Sequence, residues 1–200
     1  MKIRFRPFCL ASKPPRAGRR VAGFTLLEVL VSIVVLSFGV LGVVGLQTAA
    51  LKANKQARFQ SSGVRLAREL SDMMRGNKDV ATSTGTANPY LQSLAAGAGG
   101  PGFTTDCTVA ACGTPALMAT YQISDWVARV QGELPGAQIV VCFDSVVSTQ
   151  WACDNISTAL QVVIKIGWSQ DAFNAASGVQ TAAGSNPLVV IPVIPGNPNT

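Results

Sequence analysis

The hydrophobic pattern of this chain begins as a block. From Phe24 to Leu46 there are 23 residues whose only charge is Glu28, and from Val29 to Leu51 there is no charge at all. At 1.5 Å per residue, a helix of about 20 residues crosses the roughly 30 Å hydrocarbon layer of a bilayer. The block therefore predicts a membrane-spanning helix. A cleavable secretory signal would hold an apolar region of only about 7 to 15 residues and end in a small-residue cleavage site, so this stretch is too long for one. The block then gives way to a period. Phe59, Leu66, Leu70 and Met73 fall on one helical face, while Arg58, Arg65, Arg68, Asp72 and Arg75 lie mostly elsewhere. No proline stands between Pro15 and Pro89, so one helix is predicted from Phe24 to about Asn77, roughly 80 Å long. The apolar face of its second half should pack under the domain that follows.

Beyond Asn77 the chain turns rich in Ala, Gly, Ser and Thr, and Gly97-Ala98-Gly99-Gly100-Pro101-Gly102 reads as a flexible loop. No Gly-Lys-Ser/Thr follows it, which argues against a phosphate cradle. Leu117 to Leu134 predicts a short helix ended by Pro135-Gly136, with Trp126 as a packing anchor. Strands are predicted over Gln138 to Phe143, over Leu160 to Trp168, where Val162, Ile164, Ile166 and Trp168 alternate, and over Leu188 to Ile194. Pro192 demotes the last of these to an edge. A helix on a small antiparallel sheet is the economical α+β arrangement, and the 122 residues after Lys78 can bury a core. Four segments result: 1–23, a leader; 24–51, the apolar helix; 52–78, its amphipathic continuation; and 79–200, a globular head.

Charge adds a direction to this layout. The formal net charge is +6, but Met1 to Gly23 holds seven bases (Lys2, Arg4, Arg6, Lys13, Arg16, Arg19, Arg20) and no acid. The rest has nine bases against ten acids. Lys52 to Lys78 carries seven bases against Glu69 and Asp72, whereas Asp79 to Thr200 carries only Arg129 and Lys165 against seven acids. The chain reads as basic leader, basic stalk and acidic head. The seven leader bases, with no acid among them, precede the apolar block, and on this basis the N-terminus is expected to stay cytoplasmic and the head to cross the membrane. The stalk's basic face is read as solvated or as meeting acidic neighbours; the acidic head speaks against nucleic acid.

Cysteine usage leads to the same compartment. Of five cysteines, Cys9 lies in the leader, leaving Cys107, Cys112, Cys142 and Cys153, a set that suits two disulfides in an oxidising environment. Three connectivities are open, and the short separations favour Cys107 with Cys112 and Cys142 with Cys153. A zinc site is the rival reading, but there is no histidine and no CxxC pair, so no metal and no cofactor is expected. Asn155-Ile156-Ser157 has the form of a glycosylation triplet and is read as surface loop.

With these features in place, the junction Arg19-Arg20-Val21-Ala22-Gly23-Phe24-Thr25-Leu26-Leu27-Glu28-Val29-Leu30-Val31-Ser32 resembles the recognition sequence of type IV prepilins. In that superfamily a membrane prepilin peptidase cuts after the glycine and methylates the new amino terminus, which implies cleavage between Gly23 and Phe24 and N-methylation of Phe24. A glycine lets a peptidase grip extended backbone without a Cβ in the way. The resemblance also implies the type IV pilin fold, a long N-terminal helix packed on a small antiparallel sheet.

Two further stretches, Leu36 to Gln47 and Leu66 to Asn77, with the Asp125-Trp126 and Leu134-Pro135-Gly136 pattern of the head, are similar to the PilV family of minor pilins. The likeness covers residues 18–78 best and the head more weakly. It implies a filament subunit that helps initiate pilus assembly with other minor pilins and the major pilin, at an inner-membrane assembly platform. Support of a tip adhesin, twitching motility and adhesion would follow. The chain would sit in the bacterial inner membrane first, and in the pilus at the cell surface afterwards.

Glu28 has two readings. A carboxylate costs about 2.5 to 3.5 kcal/mol at mid-membrane and is a functional candidate by default, with a smaller cost near a helix start. Thr25-x-x-Glu28 also has capping-box spacing. The family reading gives it a partner: the amine of Phe24 in a neighbouring subunit, with Glu28 setting register and admitting the subunit to assembly. Gly39, Gly42 and Gly45 recur every three residues, which suits close helix packing in a membrane; the family also allows local melting there on assembly.

Catalysis finds little support. Without histidine the usual neutral-pH general base is missing, and the head acids show no pair at helical spacing, so no catalytic residue and no enzyme is expected. The competing functions are a type II secretion pseudopilin, whose precursors share the Gly-Phe-Thr-Leu-Leu-Glu-Val-Leu-Val opening, and a DNA-uptake pilin using the basic stalk.

Overall fold

The computed structural model describes residues 23–154, 161–170 and 183–196. Residues 1–22 of the leader, with Cys9, the 155–157 triplet and Leu160 lie outside the described residues. Helix α1 spans Leu26–Gly76, 51 residues without interruption, close to the expected Phe24 to Asn77. The chain divides into two compact units, one ending at Gln47 and the other beginning at Thr48, and α1 supplies residues to both. Among the described residues of the first unit every large apolar side chain is exposed, from 46% at Val34 to 92% at Leu26. By length and composition α1 can cross a membrane.

In the second unit α1 buries Gly63, Leu66, Ala67, Leu70, Ser71 and Met74, the i, i+3, i+4 recurrence of a single helical stripe. Phe59 and Met73 flank it and are only partly buried. Both pack against the core, as the apolar face predicts, and Met74 adds a fully buried side chain that the sequence reading did not name. After α1 come the one-turn helix α2, Lys78–Ala81, a 3₁₀ turn at Gly85–Ala87, and strand β1, Gln92–Leu94. Helix α3 follows over Pro115–Glu133, then β2 over Gln138–Phe143, β3 over Val162–Gly167 and β4 over Val189–Val193.

Helix α3 begins two residues before the expected Leu117. Thr114 is its N-cap, with Oγ1 accepting from the Leu117 amide at 3.2 Å, and Pro115 opens the first turn, where its missing N–H has no bond to lose. Ala119, Ile123, Trp126, Val127 and Val130 face inward. Trp126 is fully buried, and its Nε1 donates to the Leu66 carbonyl of α1 at 2.8 Å, tying the two helices together at the centre of their contact.

The four strands form one antiparallel sheet in the order β1-β2-β3-β4. In the β2/β3 register Ile139 faces Ile166 and Val141 faces Ile164; in β3/β4 Ile164 faces Ile191. Ile139, Val141, Phe143, Val162, Ile164, Ile166, Val189 and Val193 supply the core under α1 and α3. Pro192 sits on edge strand β4 opposite Val163, a place where a proline costs no ladder bond. Strand β1 was not foreseen, because Gln92-Ser93-Leu94 is short and mostly polar and offers no period to detect.

Alternation puts Val140, Cys142, Val163 and Lys165 on the other face, and they too are buried. The covering is the 144–153 loop, closed by the Cys142–Cys153 disulfide. An ideal Cβ on Gly167 would come within 2.8 Å of Trp151 Cζ2, so the indole lies directly on the strand backbone. Lys165 is 0% exposed; its Nζ donates to Asp144 Oδ2 at 2.8 Å, the Ala152 carbonyl at 2.7 Å and Ser148 Oγ at 3.2 Å. All three ammonium protons are used, and every acceptor comes from the covering loop. Ser145 donates through both its amide and its hydroxyl to Asp154, which closes the loop's mouth. Helix α1 makes a similar close approach at Gly63, where a Cβ would stand 2.9 Å from Trp168 Cζ3 and 3.2 Å from Val189 Cγ2.

Two predictions follow from these contacts, both checked by denaturant unfolding of the full chain in detergent. Gly63→Val should cost about 1–3 kcal/mol by overpacking against Trp168, whereas Gly76→Ala, whose Cβ meets nothing within 4 Å, should be neutral or stabilising. Lys165→Met should cost about 3–5 kcal/mol because Asp144 is left buried without its cation, and Lys165→Met with Asp144→Leu should recover most of that loss. Equal losses in the single and double variants would show that the ammonium acts through packing alone.

Candidate functional site

The N-terminal junction is built by the start of α1. Gly23, Phe24 and Thr25 are non-helical and exposed, and Phe24 is 81% exposed. The Gly23–Phe24 peptide bond therefore lies on exposed backbone immediately ahead of a helix. Thr25 caps that helix: its Oγ1 accepts from the Glu28 amide at 3.3 Å and its carbonyl from the Glu28 and Val29 amides at 3.1 and 3.3 Å. Only half of a capping box is present. Among the described residues the Glu28 carboxylate makes no hydrogen bond or ion pair; it is exposed in the first turn, where the helix dipole favours a negative charge.

Downstream, the apolar span satisfies its own polar groups. The Ser32 hydroxyl donates to the Glu28 carbonyl at 2.6 Å and the Ser37 hydroxyl to the Ile33 carbonyl at 2.7 Å. Such back-bonding lets a hydroxyl sit in hydrocarbon without an orphan donor. α1 is unbroken through Gly39, Gly42 and Gly45, and a Cβ at any of them would meet nothing within 4 Å. These three positions present bare backbone on an exposed surface.

In the second unit, ion pairs fasten α1 to α3. Arg65 contacts both carboxylate oxygens of Glu133 at 2.6 Å, and Arg129 reaches Glu69 at 2.7 Å and Asp125 at 3.0 Å. The hydrogen bond from Arg65 holds the Glu133 carboxyl below the usual carboxylate range, and Glu133 in turn raises Arg65. Burial raises the Tyr90 phenol, whose hydroxyl donates to Gln122 Oε1 at 2.6 Å.

Cys107 and Cys112 form the second disulfide. Asp106 braces its start by accepting from the Thr108 hydroxyl at 2.6 Å and the Thr108 amide at 2.9 Å, bonds that lower the Asp106 carboxyl. With the four head cysteines in disulfides, no group of three or more His, Cys, Asp or Glu able to hold a metal occurs among the described residues.

The structure thus brings Gly23, Phe24, Thr25 and Glu28 to one helix start. It places Gly39, Gly42 and Gly45 farther along the same apolar helix, and the disulfides in the other unit. Sequence reasoning missed the Lys165–Asp144 pair, because alternation marks Lys165 as outward-facing and nothing local shows that a loop will cover it. The one available signal was the Cys142/Cys153 spacing, which brackets that loop.

Residues 18–44 match the family model described as the prokaryotic N-terminal methylation motif. No curated protein and no solved structure matches the chain. The long apolar N-terminal helix with a small four-stranded antiparallel sheet is consistent with the type IV pilin fold. Together these make the chain type IV prepilin-like, and the motif implies processing by a prepilin peptidase, membrane anchoring and assembly with other pilins.

Proposed function

We propose that this chain is a minor type IV pilin similar to the PilV family, a structural subunit that helps initiate pilus assembly together with other minor pilins. Prepilin peptidase cuts between Gly23 and Phe24, and Phe24 becomes the methylated N-terminus. The head lies in the periplasm and the N-terminus meets the cytoplasm until the subunit is drawn from the bilayer into the fibre. Gly39, Gly42 and Gly45 then let neighbouring helices approach closely.

The observation that carries this reading is the Glu28 carboxylate. It is exposed and unbonded within the described chain, four residues after the N-terminus that cleavage would create. In lipid or in a helical fibre core an unpaired carboxylate is costly, and the amine of a neighbouring Phe24 supplies the missing cation. Misregistered subunits would leave both charges unpaired, so the pair selects register. Because the N-terminal methylation motif also opens type II secretion pseudopilins, that assembly is the alternative to be separated by phenotype.

Mass spectrometry of the mature chain should find an N-methylated Phe24 as its first residue; a mature chain starting elsewhere would refute the assignment. Glu28→Leu should be cleaved normally yet enter surface fibres at least about tenfold less, the scale of losing one buried charge pair. Thr25→Ala, which removes the cap but keeps the carboxylate, should enter at near wild-type levels. Equal loss in both variants would reduce Glu28 to a capping residue. Deleting the gene should abolish pili and twitching and leave protein secretion intact, whereas lost secretion with normal pili would favour the pseudopilin role.

A further inference from the structure

The two disulfides of the second unit are held in different ways. Cys107 and Cys112 are five residues apart, and the hydrogen bonds beside them are local, from the Thr108 amide and hydroxyl to Asp106. Cys142 and Cys153 are separated by 11 residues, and their neighbours are joined by contacts that do not involve sulfur. Lys165 Nζ donates both to Asp144, two residues after Cys142, and to the carbonyl of Ala152, next to Cys153. The Ser145 amide and hydroxyl reach Asp154, on the other side of Cys153. Lys165 stands on β3 opposite Val140 of β2, so this clamp exists only once those strands have paired.

The two sulfurs also differ in access. Cys142 is buried on its strand, whereas Cys153 is half-buried at the wall of a groove of about 370 Å³ that runs past Ser93, Val140 and Trp151. A reagent entering by that groove meets Cys153 first.

We propose that Lys165 is a positioning residue for the oxidation of Cys142 and Cys153. It fixes the loop over the sheet while both are still thiols, and the bond then forms between sulfurs already side by side. The oxidant required is a disulfide. The Cys153 thiolate attacks one of its sulfurs and expels a thiolate; the Cys142 thiolate then attacks the Cys153 sulfur and expels the second. The two cysteines give up two protons and two electrons, and the oxidant leaves as two thiols. Holding the reacting groups together raises the effective concentration of one at the other. The clamp therefore draws the equilibrium toward the closed disulfide and selects this pairing from the three that four cysteines allow. The coupling is reciprocal, because the bond favours the clamp by the same factor. Cys107 and Cys112, with no such brace from a distant strand among the described residues, close by chain proximity.

The test equilibrates the full chain, in detergent, with mixtures of reduced and oxidised glutathione. Free thiols are trapped by alkylation, and the oxidised fraction of each pair is read by peptide mass spectrometry. Lys165→Met with Asp144→Leu removes the clamp without stranding a buried charge, which separates positioning from stability. In that variant Cys142–Cys153 should become easier to reduce by at least about tenfold, with mispaired bonds to Cys107 or Cys112, while the Cys107–Cys112 equilibrium stays unchanged. Cys142→Ser with Cys153→Ser keeps the clamp and removes the bond. Acetylation of amines should then modify Lys165 at least about tenfold more slowly than the exposed Lys52, as a clamp that holds without the bond requires. An unchanged Cys142–Cys153 equilibrium in the clamp variant, an equal shift of both disulfides, or Lys165 acetylated as fast as Lys52 in the serine variant would overturn the proposal.

Discussion

The physics of this molecule turns on an apolar helical surface that stands exposed among the described residues. Between Phe24 and Leu51 the large apolar side chains are all exposed, an area far beyond the few hundred Å² of contiguous apolar patch that soluble monomers leave open. Two environments can accept such a surface: hydrocarbon, or the equivalent surfaces of other helices. The Ser32 and Ser37 back-bonds suit either, since they leave no hydroxyl seeking water. The single carboxylate of Glu28 distinguishes between them. At the edge of a bilayer it can still reach water, but inside a bundle of helices it needs a cation.

The second half of the same helix faces a different constraint, and its sequence changes accordingly. Past Thr48 the side chains alternate between a core stripe and a charged face, so α1 becomes one wall of a folded unit. Gly63 allows the close approach of Trp168, and the Trp126–Leu66 hydrogen bond fixes how α3 lies on α1. Arg65–Glu133 and the Arg129 pairs stand at the margin of that contact. They are partly exposed, so they contribute more to alignment than to stability. The core stripe and the Trp126 bond supply the affinity between the helices.

How much could be read from sequence depended on how local the cause was. The apolar block, the unbroken helix, strand β2 and the edge position of Pro192 were all legible, because each is set by residues within one segment. Helix α3 was found, but its start was placed two residues late: the Thr114-Pro115 cap is a local signal that the hydrophobic period alone overlooks. Met74, one turn on from Leu70, extends the fully buried stripe, while Met73 packs half-buried beside it. Strand β1 and the role of Lys165 were invisible, since both follow from what lies across the sheet. At the candidate site, Gly23, Phe24 and Glu28 were legible as a motif, whereas the half-formed capping box that leaves the Glu28 carboxylate unengaged required coordinates.

Lys165 shows what the head does in place of a second helical layer. A four-stranded sheet has two faces, and α1 and α3 together cover one of them. Among the described residues the other is covered by the loop between Cys142 and Cys153, with Ala183 and Gly184 beside its Trp151, and this irregular loop has few apolar side chains with which to hold itself on the sheet. A buried ammonium resolves this, because its three donors can hold three separate points of a loop that has no regular structure of its own. An apolar residue at 165 could pack against the loop but could not specify where Asp144, Ser148 and Ala152 must lie. The disulfide limits how far the loop can stray and the lysine selects one conformation within that limit, so the charge is retained for definition of structure even though burying it is costly.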